Sequence, residues 1–212
     1  MGRGKRRQSR ATVATQSSVM VTNADGSRVW HNSQKKLHRE DGPAVVWAEG
    51  DREWWLNGLR HREDGPAVEK ADGDLEWYVN GLHHREDGPA ITNADGSQEW
   101  YVNGLLHRED GPALEWAGLC RQWYVNGQHH RDGGPAIEWY GDEARQGLTW
   151  YQNGEIHRED GPAIELPNGK RRWYIEGRGL SEKDWQAAVQ TRALAGVVIS
   201  PGQRVRTSDL AG

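Results

Sequence analysis

His and Asp recur together along this chain, three residues apart, at His38/Asp41, His61/Asp64, His84/Asp87, His107/Asp110 and His157/Asp160. Imidazole with carboxylate is a donor set that suits Zn or Mn. The spacing matches no established metal motif, and a repeated pair would imply several identical sites. The alternative is structural: His lies beside a Trp, and Asp holds the following Gly-Pro corner by an Asx-type bond. The unit His130-Arg131-Asp132-Gly133 favours that alternative, because it lacks the second acid yet keeps His, Arg, Gly and Pro. An enzyme needs one unique constellation in a pocket. Here every candidate acid, base and Arg is repeated, and no Ser or Cys sits in a nucleophile motif. The expectation is a non-enzymatic protein with no catalytic residue and no cofactor.

These residues belong to one repeated word, W-Y-x-N-G-x-x-H-R-E-D-G-P-A. His38, His61, His84, His107, His130 and His157 follow one another at intervals of 23, 23, 23, 23 and 27 residues. A Trp stands seven positions before each of the last five, at Trp54, Trp77, Trp100, Trp123 and Trp150; Trp30 and Trp173 mark atypical end units. Self-similarity at such a period is the signature of a stacked array whose end repeats have one neighbour only. About six to seven repeats fill residues 21–180.

Asn80-Gly81 predicts a type I′ hairpin turn, which needs positive φ at both central residues. Counting outward pairs Val79 with Leu82, Tyr78 with His83, Trp77 with His84 and Glu76 with Arg85. Alternation then places Trp77, Val79, Leu82 and His84 on one face and Glu76, Tyr78, His83 and Arg85 on the other. The same register sets Glu53 opposite Arg62 and Glu99 opposite Arg108, and it leaves Arg131 and Arg158 opposite Gln122 and Thr149, without an acid. The expected structural core is therefore the ladder of Trp54, Trp77, Trp100, Trp123, Trp150 and Trp173 with His61, His84, His107, His130 and His157. The expected open stripe carries Tyr78, Tyr101, Tyr124, Tyr151 and Tyr174 with Arg62, Arg85, Arg108, Arg131 and Arg158. Tyr and Arg are favoured at binding hot spots, so these Tyr up to Tyr151 and the five Arg are the candidate partner-binding residues. A solvated face of Glu–Arg pairs is the alternative.

Pro cannot donate to a sheet ladder, so Asp-Gly-Pro-Ala marks a corner. A short strand, a second turn such as Ala94-Asp95-Gly96, and the next Glu-Trp-Tyr follow. The composition agrees with a thin array: 12 Trp, 6 Tyr, no Phe, 27 Gly and 35% hydrophobic residues, with a mean hydropathy of −0.94. The fold class is an all-β repeat array, in which stacked antiparallel β-hairpins form an elongated twisted sheet or solenoid capped by one C-terminal α-helix. Ser181-Glu182-Lys183-Asp184 resembles a capping box, and Leu180 with Trp185 fits a hydrophobic staple. The helix is expected over residues 181–196, ended by Gly196, with a tail over 197–212 in which Val197-Val198-Ile199 could add a strand. Four extra residues around Asp142 to Gln146 fall in a second turn, where an insertion is tolerated.

Net charge is −4, and residues 1–20 hold Arg3, Lys5, Arg6, Arg7 and Arg10 with no acid, so the remainder carries about −9. The first segment reads as a disordered basic arm, the one place where nucleic acid could be touched. An acidic array opposes phosphate binding elsewhere. Cys120 is the one cysteine, which excludes an intramolecular disulfide and a multi-Cys zinc site. No apolar run is long enough to span a bilayer and no signal-peptide core follows the basic start, so a cytoplasmic protein is expected.

The word W-Y-V-N-G-L-H-H-R-E-D-G-P-A, with its later A-D-G turn, resembles the MORN repeat family, in particular its bacterial and phage variant. The resemblance covers about residues 28–177. It departs after the His, where MORN units usually have Gly and this chain has Arg-Glu-Asp-Gly-Pro. The ending W-Y-I-E-G-R-G-L-S-E-K-D-W is also similar to endings of such proteins, some of which are described as antitoxins. The resemblance implies a hairpin array and, more loosely, partner binding. Three functions follow as expectations. One is a protein-binding scaffold, such as an antitoxin-like or phage-encoded inhibitor masking a partner protein. The second is a small-ligand, nucleotide or metal binder using the His-Arg-Asp rows. The third is a self-assembling structural protein.

Overall fold

The structure, a computed structural model, describes residues 17–141 and 146–196. The charged part of the basic arm, most of the Asp142 to Gln146 insertion and the tail over 197–212 lie outside the described residues. The chain forms two units, Met1–His107 and Arg108–Gly212. Both are built of stacked antiparallel hairpins, as the repeat predicts.

Two kinds of hairpin alternate. The first kind builds a main sheet. In the first unit its strands are Val19–Thr22, Arg28–His31, Val45–Val46, Arg52–Glu53, Val68–Glu69, Leu75–Glu76, Ile91–Thr92 and Gln98–Glu99, adjacent in that order. In the second unit they are Leu114–Trp116, Cys120–Gln122, Ile137–Trp139, Gly147–Thr149, Ile164–Glu165, Arg171–Ile175 and Arg178–Leu180. The Asn-Gly hairpins are the second kind. Each is a separate two-stranded sheet, for example Tyr78–Val79 with Leu82–His83, or Tyr124–Val125 with Gln128–His129.

The expected single strand from Glu76 to Val79 is thus corrected. Leu75–Glu76 pairs with Ile91–Thr92 in the main sheet, and the chain leaves that sheet at Trp77. The Trp77 N–H donates to the Ala90 carbonyl at 2.7 Å, and its carbonyl accepts from the His84 N–H at 3.1 Å. Pro89 has no N–H to offer, so the ladder stops at Ala90 and the chain turns outward. Beyond that point the Asn-Gly register holds as counted: Leu82 faces Val79 and His83 faces Tyr78. Asn80 and Gly81 have φ of 52° and 81°, the two positive values of a type I′ turn. Glu176-Gly177 makes the same turn at 48° and 72° without an Asn.

The most buried residue of each repeat is its smallest apolar one. Ala44, Ala67, Ala90, Ala113, Ala136 and Ala163, each following Gly-Pro, have no exposed surface. Val45, Val68 and Leu114 continue this core, and Tyr78 and Trp54 pack on Ala67 and Val68. The ladder Trp are half-buried.

Helix α1, Glu182–Gly196, closes the second unit. Ser181 is its N-cap: its hydroxyl accepts the Asp184 N–H at 3.1 Å and donates to the Asp184 carboxylate at 2.7 Å. Trp185 is buried, with its ring 4.5 Å from that of Trp173. Its indole N–H donates to the Arg158 carbonyl at 2.8 Å.

Candidate interaction surface

The His-Arg-Glu-Asp-Gly-Pro word folds into a clamp, and Arg is its centre. Arg62 lies over the Trp54 ring at 4.0 Å, Arg85 over Trp77 at 4.2 Å, Arg131 over Trp123 at 3.7 Å and Arg158 over Trp150 at 3.8 Å. The Arg85 Nε donates to Asp87 at 2.9 Å, and a second nitrogen donates to the Pro89 carbonyl at 3.3 Å. Arg62 and Arg158 add Glu69 and Glu165, both at 2.8 Å, and Arg131 adds Glu138 at 2.7 Å. Arg108 follows the same scheme with Asp110, Pro112 and Glu115. This explains the invariant Gly of the word. A Cβ on Gly88 would stand 2.9 Å from the guanidinium carbon of Arg85, so a side chain there would push the guanidinium off its seat.

The open-stripe placement of Arg62, Arg85, Arg108, Arg131 and Arg158 is therefore corrected. Their side chains are 19–31% exposed and folded onto the protein. Two other expectations change with it. For Arg62, Arg108, Arg131 and Arg158 a Glu partner lies seven residues on rather than across the Asn-Gly turn, so Arg131 and Arg158 do not lose theirs; Arg85 has Thr92 at that position. Asp64, Asp87, Asp110 and Asp160 take the Arg Nε instead of making the expected Asx bond at the corner. The Arg hydrogen bond holds the carboxyls of Asp41, Asp64, Asp87 and Asp110 below the usual range.

His joins successive repeats. The Nδ1 of His61 accepts the N–H of Asn80 at 3.1 Å, and His84 accepts that of Asn103 at the same distance. His130 does so for Asn153 at 3.2 Å and His157 for Glu176 at 3.1 Å. An Nδ1 that accepts leaves the proton on Nε2, which points to the acid two residues on: 3.8 Å to Glu63 from His61 and 3.6 Å to Glu159 from His157. The ring thus serves the next hairpin's turn rather than stacking on Trp.

Tyr turns inward as well. Tyr78 is buried; its hydroxyl donates to Glu76 at 2.8 Å and receives Arg60 at 3.4 Å. The His83 Nε2 donates to the same Glu76 oxygen at 3.0 Å, and its ring lies between Tyr78 at 4.0 Å and Tyr101 at 5.2 Å. The bond from His83 holds the Glu76 carboxyl below its ordinary range against desolvation, while burial and Glu76 push Tyr78 up to about 12. In the second unit Gln122 takes the place of Glu76. It receives Tyr124 and His129, both at 3.0 Å, and the His129 ring lies between Tyr124 and Tyr151. Tyr101, Tyr124, Tyr151 and Tyr174 are half-buried, so the Tyr row too leaves the open stripe.

What remains outside is different. Open notches lie between successive His-Arg-Glu-Asp-Gly loops. One of about 630 Å³ is lined by Trp54, Leu56 and His61 with acids on both sides, and one of about 550 Å³ lies between Arg108 and Asp132. Exposed carboxylates such as Glu63, Asp64, Glu86 and Asp87, all at least 85% exposed, edge the loops. Among the described residues no three His, Cys, Asp or Glu side chains are grouped to hold a metal. Cys120 is buried, and burial pushes its thiol up. No described helix is long and apolar enough to cross a membrane.

A row of leucines lies on the turn edge of the first unit. Leu59, Leu82 and Leu105 each follow an Asn-Gly turn and are 49%, 50% and 51% exposed. Leu59 rests against the turn glycine Gly81 and Leu82 against Gly104, which holds them in line. The same position in the second unit is polar: Gln128, Glu155 and Arg178. Sequence reasoning missed this row by assigning Leu82 to the Trp face, although N-G-L, N-G-L, N-G-L was legible at a fixed period. Compared with protein-family models and with curated proteins, the chain matches none.

Proposed function

We propose that the protein is a non-enzymatic protein-binding scaffold of the cytoplasm, which covers a partner protein as an antitoxin-like or phage-encoded inhibitor would. The observation that carries this reading is the row of Leu59, Leu82 and Leu105. Each is half exposed, and together they make an apolar stripe along the turn edge of the first unit. Contiguous exposed apolar surface marks interaction sites. Two strands per repeat set successive leucines about 10 Å apart, from a strand spacing of ~4.8 Å. Seven residues of α-helix rise by about 10.5 Å. An amphipathic helix with apolar residues every seven positions therefore fits the row, in the helix-on-groove mode of recognition. The resemblance to MORN repeats supports partner binding in the same general sense.

The test is affinity capture from the native source with wild type and with Leu59→Ser/Leu82→Ser/Leu105→Ser. The expected result is one stoichiometric protein, lost in the triple variant and kept in Gln128→Ala/Glu155→Ala. No stoichiometric protein, or one that the triple variant still captures, would overturn the assignment.

The notches between loops favour a second reading, a small-ligand or nucleotide binder. Its weakness is chemical: the Arg guanidinium groups that would hold phosphate are already bound to Asp and Glu. A thermal-shift screen with nucleotides and divalent metals separates the readings. A saturable rise in Tm would favour the ligand reading.

A further inference from the structure

We propose that Val19–Thr22 is a self-pairing edge, through which two copies of this chain join by antiparallel strand addition about a two-fold axis at Val21. Among the described residues the strand pairs on one side only, with Arg28–His31. All four of its residues are exposed, with Val19 at 66%, Met20 at 50% and Val21 at 48%. An edge strand that stays single is usually guarded by charge or by Pro. Ser17 to Thr22 contains neither.

The direction of the free backbone groups follows from the register. Met20 lies opposite Trp30. The Trp30 N–H donates to the Ala44 carbonyl at 2.8 Å, and its carbonyl accepts from the His38 N–H at 3.0 Å. Both groups of Trp30 thus point away from Met20, so this is a non-hydrogen-bonded pair across the two strands. The N–H and C=O of Met20 therefore face the free edge. Those of Thr22, two residues on, face the same way. Met20 and Thr22 can exchange four bonds with Thr22 and Met20 of a second copy, with Val21 opposite its symmetry mate. The edge is complementary to itself, as a two-fold interface requires.

Charge and chain path select this occupant. In antiparallel pairing the two N-terminal segments, each with five cations, leave at opposite ends of the joint; parallel pairing would set them side by side. The competing occupant of the edge is the chain's own N-terminal segment.

The experiment is light scattering on the full chain from micromolar to millimolar concentration. The mass of the wild type is expected to double across that range and stop at the dimer. Met20→Pro removes only an N–H that faces outward, and Val21→Lys sets two cations face to face at the axis. Both variants are expected to stay monomeric at every concentration, with the Tm of wild type measured at low concentration. A monomeric wild type, growth beyond the dimer, or dimers undiminished in Met20→Pro would each overturn the proposal. A chain beginning at residue 17 that dimerises where the full chain does not would assign the edge to the chain's own N-terminal segment, and would overturn it too.

Discussion

Glu76–Tyr78–His83 in the first unit and Gln122–Tyr124–His129 in the second have nearly the same geometry with different charge. Tyr and His rings lie 4.0 Å apart in both, and the His Nε2 meets the side-chain oxygen of Glu76 or Gln122 at 3.0 Å in both. The carboxylate is therefore not what builds the stack. Backbone register and ring packing build it, and the acid or amide only sets its response to protons. Glu76 is held low by His83, whereas His129, which faces an amide, is pushed down by burial. The units differ on the outside too, with leucines on one turn edge and polar residues on the other. The scaffold is constant and the chemistry hung on it varies.

Truncation of the ring itself should have the largest effect. Tyr78→Ala is expected to cost about 3–5 kcal/mol in urea unfolding, as for other buried aromatics. Tyr124→Ala should cost less, since Tyr124 is only half-buried. Equal losses would break the claim that Tyr78 belongs to a tighter core.

Alkaline pH comes next. The unfolded chain ionises Tyr78 near 10 and the folded chain near 12, so stability is lost as pH rises between those values. The loss amounts to about 2–3 kcal/mol for this group. Tyr78→Phe should remove that part of the alkaline slope, at a neutral-pH cost of about 1–2 kcal/mol for the lost hydroxyl bonds.

The clamp offers a control in which the two units should agree. Gly88→Ala and Gly134→Ala would set a methyl 2.9 Å and 3.0 Å from the guanidinium carbons of Arg85 and Arg131. Each should cost about 1–3 kcal/mol by overpacking. A cost at one and not at the other would show that the clamps are not equivalent.

Acid should separate the units in order. His129 has a lowered folded value, so its contribution is full above its ordinary 6.5 and is lost as pH falls below it. Glu76 also has a lowered value, so its contribution holds above its ordinary 4.5 and is lost as pH falls through the folded value. Thermal melts at descending pH should show the His129 loss first. Gln122→Glu should abolish the first step, and Glu76→Gln should abolish the second. The smallest effect on stability is expected from Leu59→Ser, Leu82→Ser and Leu105→Ser, within about 0.5 kcal/mol each. Larger losses in Tm would make this row part of the core rather than a surface for a partner.

Much of the fold was legible because turn chemistry is local. Asn-Gly dictates two positive φ values, and from that turn the pairs Val79–Leu82 and Tyr78–His83 follow by counting. Ser181 and Asp184 announce the helix in the same local way. The faces were not legible beyond Trp77, because alternation assumes one continuous strand and the chain changes sheets there. That change depends on Pro89, twelve residues further on, which ends the ladder from the other side. The seat of Arg was hidden for a related reason: its partners are its own Trp eight residues back and, in four of the five repeats, a Glu seven residues on, brought together only by the corner. The period of that Glu could have been read from R-E-D-G-P-A-V-E and R-E-D-G-P-A-L-E.

The imidazoles of His61, His84, His130 and His157 each serve the turn of the following repeat. His61 serves Asn80 and His84 serves Asn103, while the Arg clamp closes entirely within one word. A deletion that removes one whole period, residues 62–84, would return Asn103 to a histidine in the same place, His61, while the Arg62–Glu69 pair would be lost because Thr92 stands at that spacing after Arg85. A gene that gained or lost one word would thus keep the histidine-to-turn bond between neighbours and change only the pairs that single repeats carry.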